Sequence, residues 1–236
     1  MVEAEIENDN TDNIRDKVFY ENNVLSREFY ERDTAIVAKE LLGKILIVGE
    51  LDNFCGGIIV EDEAYYGTND PASHASNGIT PRSRIMFENP GIAYVYFCYG
   101  NYYLLNAVTE KFGTPGAVLI RAIEPLFGIQ NMMERRKNEK IIELTNGPGK
   151  LTMAFNIRKE HNGKNLTSIK EGIFMLDTDK FYNDIKLSFS SLAYKLSSFK
   201  LINESQIAIS PRIGIKKGRK SLLRFYLKNN KFVSRK

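Results

Sequence analysis

The sequence predicts an α+β fold: a single mixed domain with an antiparallel sheet and peripheral helices. Three observations carry that reading. The β-rich runs come in close pairs joined by turn residues, 44–51 with 56–65 and 93–98 with 102–108. The helical patterns, 34–42, 126–137 and 148–157, fall outside those pairs. No internal repeat and no linker divides the 236 residues.

Residues 1–22 are polar, acidic and rich in asparagine, and are expected to be a disordered extension, with the single domain spanning 23–236. A helix is expected over Thr34–Leu42, capped by Asp33 or Thr34, with Ala35, Ala38, Leu41 and Leu42 on one face and Gly43 as its stop. Lys44–Leu51 and Gly56–Tyr65 read as strands about a turn at Asp52-Asn53. Residues 67–84 form a long loop of Gly, Pro, Ser and Asn, of the kind that carries function. Ala93–Cys98 and Tyr102–Val108 flank Tyr99-Gly100-Asn101 as a hairpin, and Ala117–Ala122 is a further strand before Glu124-Pro125. The segment 160–190 is mixed, and 207–233 is expected to return to strands.

Composition narrows the class. Hydrophobic residues make up 43% and charged residues 26%, an ordinary globular balance. Cys55 and Cys98 are too few for a disulfide scaffold, and with His74 and His161 they offer no zinc-ligand spacing, so no metal site is expected. The start lacks the apolar core of a signal peptide. Asn89–Thr109 is uncharged, but a spanning helix would place Gly100-Asn101 at the bilayer centre, so a membrane span is rejected. The net charge of +4 is unevenly spread: residues 1–16 hold six acids and one base, whereas 211–236 hold ten bases and no acid. Such a tail suits a polyanion, nucleic acid above all, although a solvated surface explains charge alone equally well.

Several constellations could carry chemistry. Alternation places Glu61, Glu63 and Tyr65 on one strand face and Val60, Asp62 and Ala64 on the other. An edge strand with solvated acids is the ordinary reading of that triplet, ahead of a general base beside a glycosidic carbon. The hairpin from Tyr94 to Tyr103 carries five tyrosines, residues that pack in strands and also stack on bases. His74 sits in a polar loop, Arg82 and Arg84 could hold phosphates, and Arg121 ends an apolar strand where a guanidinium needs an anion. Asn146-Gly147-Pro148-Gly149-Lys150 opens a helix without being a Walker loop.

In order and spacing, these segments resemble the alkyladenine (3-methyladenine) DNA glycosylase family, of the animal type also found in bacteria. The matching stretches are Leu41-Leu42-Gly43-Lys44, Ile59-Val60-Glu61-Asp62-Glu63-Ala64-Tyr65, His74, Thr80-Pro81-Arg82-Ser83-Arg84, Met86-Phe87 and Pro90-Gly91. They continue through Tyr94-Val95-Tyr96, Tyr99-Gly100, Asn106, 119–125, 146–151, Pro211-Arg212-Ile213-Gly214 and Arg224-Phe225-Tyr226. The resemblance implies a curved antiparallel sheet with a protruding hairpin. It also implies hydrolysis of the N-glycosidic bond of alkylated or deaminated purines in DNA by base flipping, leaving an abasic site. Glu63 matches the base that activates water and Arg121 the arginine beside it. Tyr65, His74 and Tyr96 match the residues around the flipped base, Asn106 the pocket floor, and Tyr99 the side chain inserted into the minor groove. Arg82, Arg84, Lys150 and Arg224 are expected to contact DNA. No cofactor is required, the partner is double-stranded DNA with damaged purines, and a cytoplasmic, nucleoid-associated monomer is expected. The alternatives are a non-catalytic nucleic-acid-binding module and a hydrolase of free nucleosides; the basic tail speaks against the latter.

Overall fold

A computed structural model describes residues 17–235, apart from 19, 51, 52, 99 and 181–201. Its eight strands form one open antiparallel sheet. β1 (Ile45–Glu50) and β2 (Asn53–Tyr65) pair from Ile45 opposite Ile58 to Glu50 opposite Asn53. β3 (Ala93–Cys98) and β4 (Tyr102–Val108) form the expected hairpin, and β5 (Ala117–Phe127) lies between β4 and β2. β6 (Ile173–Leu176) adds to the free side of β1. β7 (Ile207–Ser210) and β8 (Arg224–Leu227) pair with each other, and β8 pairs with the second half of β2. β2 is therefore central along its length, flanked on one side by β5 and on the other by β1 and then β8.

The helices pack around this sheet. α1 (Thr34–Leu41) starts where the Asp33 carboxylate accepts from the N–H groups of Ala35 and Ile36, and it buries Val37, Ala38 and Leu41. It stops before Gly43, whose φ of +90° suits a residue without a side chain. α2 (Ile129–Arg136) and α3 (Pro148–Ala154) are shorter than the 126–137 and 148–157 expected. Pro148 stands in the first turn of α3, where its missing N–H costs nothing.

Three expectations are corrected by packing. β5 does not end at Ala122 but runs on through Pro125, which lies opposite Gly57 where the register with β2 shifts; such an irregularity is where a sheet tolerates a missing donor. Of the expected disordered extension, 1–16 lies outside the described residues. The described residues from 17 to 22 are helical apart from a gap at 19, and Tyr20 is buried edge-on against Phe54 and Phe174. That burial moves the start of the ordered fold ahead of residue 23. Finally, Glu61, Asp62 and Glu63 are not solvated edge acids: all three are fully buried, because β2 is flanked on both sides. The uncharged run 89–109 forms β3 and β4, and among the described residues no helix is long and apolar enough to cross a membrane.

Asp62 lies on the opposite strand face from its acidic neighbours, and neither of its carboxylate oxygens has a hydrogen-bond partner among the described residues. Burial, reinforced by the charges of Glu61 and Glu63, pushes its carboxyl well above the usual range. A raised folded-state pKa means that its neutral form is fully tolerated below the unfolded pKa, and that stability is lost as pH rises from there towards the folded pKa. Asp62→Val should therefore stabilise the protein at pH 7 by about 1–3 kcal/mol, seen as a higher Tm. Repeating the melts towards pH 4 should shrink the gain.

Candidate active site

Irregularities in the β2–β5 pairing bring the charged side chains together. The register moves from Ile59 opposite Ile123 to Glu61 opposite Ala122, and then to Asp62 opposite Ile120. Val60 and Arg121 are the residues left over on the two strands, and bulges of this kind re-aim side chains beside functional sites. The Arg121 guanidinium spans both acids, with Nε 3.0 Å from Glu61 Oε1 and Nη1 3.2 Å from Glu63 Oε1. Arg224 Nε donates to the same Glu61 oxygen at 2.7 Å.

Glu63 stands behind the wall of a cavity that three of its partners, Arg121, Tyr65 and Ile213, line. Its Oε1 also accepts the Ile213 N–H at 2.7 Å, and its Oε2 accepts the Tyr65 hydroxyl at 2.8 Å. Burial raises its carboxyl above the ordinary range, against the pull of Arg121, the Ile213 N–H and the Tyr65 hydroxyl. In Glu61 the balance falls the other way: burial is outweighed by Arg121, Ser234 and Arg224, and the group sits below its ordinary value. Two glutamates on one face are thus held at different proton affinities.

The cavity, about 370 Å³, is lined by Tyr65, His74, Tyr94 and Tyr96 together with Asn106, Met86 and Arg121. His74 lies edge-on to Tyr96, with ring centroids 4.7 Å apart, and shares a 2.8 Å hydrogen bond with the Tyr94 hydroxyl. Burial and nearby Arg82 push its imidazole down to about 4, so it is neutral at pH 7. Asn106 is held by its register opposite Tyr94, whose carbonyl accepts from Asn106 Nδ2 at 3.0 Å. Arg82 lies over the Tyr96 ring, 4.9 Å from its centroid, and donates to the Phe97 carbonyl.

Of the residues selected from the sequence, Arg121, Tyr65, His74, Tyr96, Asn106 and Arg82 line this cavity, and Glu63 lies directly behind it, joined to Arg121 and Tyr65. Arg84 is exposed beside a groove shared with Arg82, and Lys150 is half-buried with its ammonium on Asn146 Oδ1. Tyr99 lies outside the described residues; next to it Gly100 takes a φ of +76° at the exposed hairpin turn. Arg224 is buried, with one N–H each on Glu61, Ser210 and the Arg235 carbonyl, away from the cavity lining.

Arg212 is a site residue that the sequence reading left without a role. Its guanidinium forms a fork with Asp70 at 2.5 and 2.7 Å, donates to the Ala64 carbonyl, and lies 4.5 Å from the centroid of the Tyr65 ring. It anchors the segment that presents the Ile213 N–H to Glu63. The signal was present, since Pro211-Arg212-Ile213-Gly214 stands out as a motif, but its partner is 142 residues away.

An aromatic cavity backed by a buried, ion-paired carboxylate suits a planar base, and the chain's relatives place the protein among the DNA glycosylases, hydrolases of N-glycosidic bonds. The chain belongs to the methylpurine-DNA glycosylase family, whose profile matches residues 28–231. It is 45% identical over 210 residues to a protein of Prosthecochloris aestuarii, covering 89% of this chain and 90% of the other. A Chlorobium phaeobacteroides protein is 40% identical over 213 residues, with 90% and 97% covered. A Carboxydothermus hydrogenoformans protein is 41% identical over 213 residues, with 90% and 100% covered. All three carry the provisional name 3-methyladenine DNA glycosylase.

The Arg212–Asp70 pair is buried, so removing one partner strands the other. Asp70→Ala should cost about 3–5 kcal/mol of stability, measured by denaturant unfolding. An unchanged midpoint would show that the fork contributes nothing.

Proposed function

We propose that the protein excises alkylated purines from duplex DNA by a single water-mediated displacement with Glu63 as general base. The observation that carries this is the state of Glu63: it is fully buried, ion-paired with Arg121 and accepting from Tyr65 and Ile213, three residues that line an aromatic cavity. In the ionised form the carboxylate takes a proton from water as the water oxygen adds to C1′, and the electron pair of the N-glycosidic bond leaves with the base. A purine alkylated on a ring nitrogen carries positive charge, so it departs neutral without a proton donor. Arg121 holds Glu63 ionised and in place.

The extruded base fits between Tyr65, His74 and Tyr96, whose electron-rich rings favour a cationic purine. Asn106, fixed through Tyr94, forms the floor that tests the exocyclic group of the base. Arg82, Arg84 and Lys150 are the proposed phosphate contacts, and Tyr99 the side chain that fills the gap in the stack. The relatives' name for 3-methyladenine supports this substrate class.

Glu63→Gln should lower base release from duplex DNA carrying one methylated purine by about 10²- to 10⁴-fold while retaining DNA binding. Excision persisting near the wild-type rate would remove Glu63 from the chemistry. Only the ionised carboxylate accepts a proton, so the rate should rise with pH through a midpoint above the usual carboxylate range. Tyr65→Phe deletes a donor that favours ionisation, and should move that midpoint further up in a single-turnover profile.

A further inference from the structure

The C-terminal end of the chain reaches the charged network from a side that the cavity does not touch. Phe232 and Val233 are buried in the core, and they carry Ser234 to Glu61, 173 positions away in sequence. Ser234 N–H donates to Glu61 Oε2 at 2.6 Å and its hydroxyl donates to Oε1 at 2.8 Å. The two glutamate oxygens are unequally served. Oε1 receives Arg121, Arg224 and the Ser234 hydroxyl, whereas Oε2, among the described residues, receives the Ser234 N–H. The Arg235 carbonyl in turn accepts from Arg224, so the same short segment holds a second member of the network.

We propose that Ser234 is a positioning residue for base excision: by pinning both oxygens of Glu61 it fixes how Arg121 is shared between Glu61 and Glu63. This rests on the reading of Glu63 as the general base. Arg121 meets Glu61 Oε1 at 3.0 Å and Glu63 Oε1 at 3.2 Å, and one guanidinium cannot draw closer to one acid without loosening from the other. With the Ser234 hydroxyl gone, Glu61 Oε1 keeps its two guanidinium donors and draws Arg121 closer, away from Glu63; with the N–H gone as well, Oε2 is freed to turn towards Arg121 too. Glu63 then loses part of the cation that opposes its burial, and binds a proton more tightly.

The groups that face Glu63 are few and come from each surrounding element. Glu61 and Tyr65 lie on its own strand, with Asp62 on the opposite face. Arg121 comes from β5, and Arg224 from β8 reaches it through Glu61. Arg212, over Tyr65, and the Ile213 N–H come from the segment after β7, and Tyr96 comes from β3. Of these, Glu61, Arg121 and Arg224 form the part that Ser234 reaches, through Glu61.

The test is the pH profile of single-turnover excision of 7-methylguanine from a duplex oligonucleotide, for wild type, Ser234→Ala and Ser234→Thr. Affinity for the duplex and Tm are measured alongside. Ser234→Ala should move the acid limb up by about half a pH unit, about threefold in rate on that limb, with affinity unchanged. Ser234→Thr keeps the hydroxyl and should restore the wild-type profile. Ser234→Pro removes both donors and should move the limb by about a full unit, or tenfold; should it not fold, the alanine and threonine variants decide. An acid limb that stays in place in Ser234→Ala, with any loss of rate following Tm, would reduce Ser234 to a tether and overturn the proposal. Glu63→Gln in the same assay separates the two readings. If it is inactive while the limb of Ser234→Ala is unmoved, only the role of Ser234 falls; if it is active, the reading of Glu63 falls and takes this proposal with it.

Discussion

The structure depends on how Arg121 is divided between Glu61 and Glu63. Both acids are fully buried, and each lone carboxylate would cost several kcal/mol to desolvate. Two acids and two arginines, Arg121 and Arg224, bring the network to formal neutrality. Within that balance the two acids are not equivalent. Glu61 collects donors from three parts of the chain and stays ionised below the usual range, whereas Glu63 keeps fewer and is left with a raised proton affinity. The proposed role of Glu63 as general base needs that combination: charged enough to accept a proton, yet not so well solvated that it has no use for one.

Sheet architecture makes this division possible. The adjacent irregularities in β2 and β5 leave Val60 and Arg121 outside the ladder, and the guanidinium crosses towards both acids. The segment between β7 and β8 closes over the same point, fastened by the Arg212–Asp70 fork and contributing the Ile213 N–H. The hairpin β3–β4 supplies the other wall, with Tyr94, Tyr96 and Asn106 set by a regular register. With the loop that carries His74, Arg82 and Met86, and with Pro148, the cavity is assembled from stretches spread along most of the chain.

The basic tail has a double nature that charge counting hides. Arg212 and Arg224 belong to it by sequence, yet both are buried and paired with acids, Asp70 and Glu61. Lys216, Lys217, Arg219 and Lys220, on the loop between them, are among the charges left for a polyanion. Asp70 and Glu61, the acids that neutralise the two arginines, lie far away in sequence.

The sequence by itself determined the elements and the candidate residues. Alternation placed Glu61, Glu63 and Tyr65 on one face, the hairpin bounds 93–98 and 102–108 agree with β3 and β4, and the ordered motifs carried the family resemblance. These are local properties, since strand periodicity and turn chemistry are written in neighbouring residues. Only the tertiary structure decided whether the acidic triplet was exposed or buried, which arginines were structural, and what held Glu63. Those outcomes depend on pairings such as Glu61 with Ser234 and Arg212 with Asp70, which join residues more than a hundred positions apart. Electrostatic character is set by the sum of desolvation and partners. That sum exists only once β8 has closed on one side of β2 and β5 on the other.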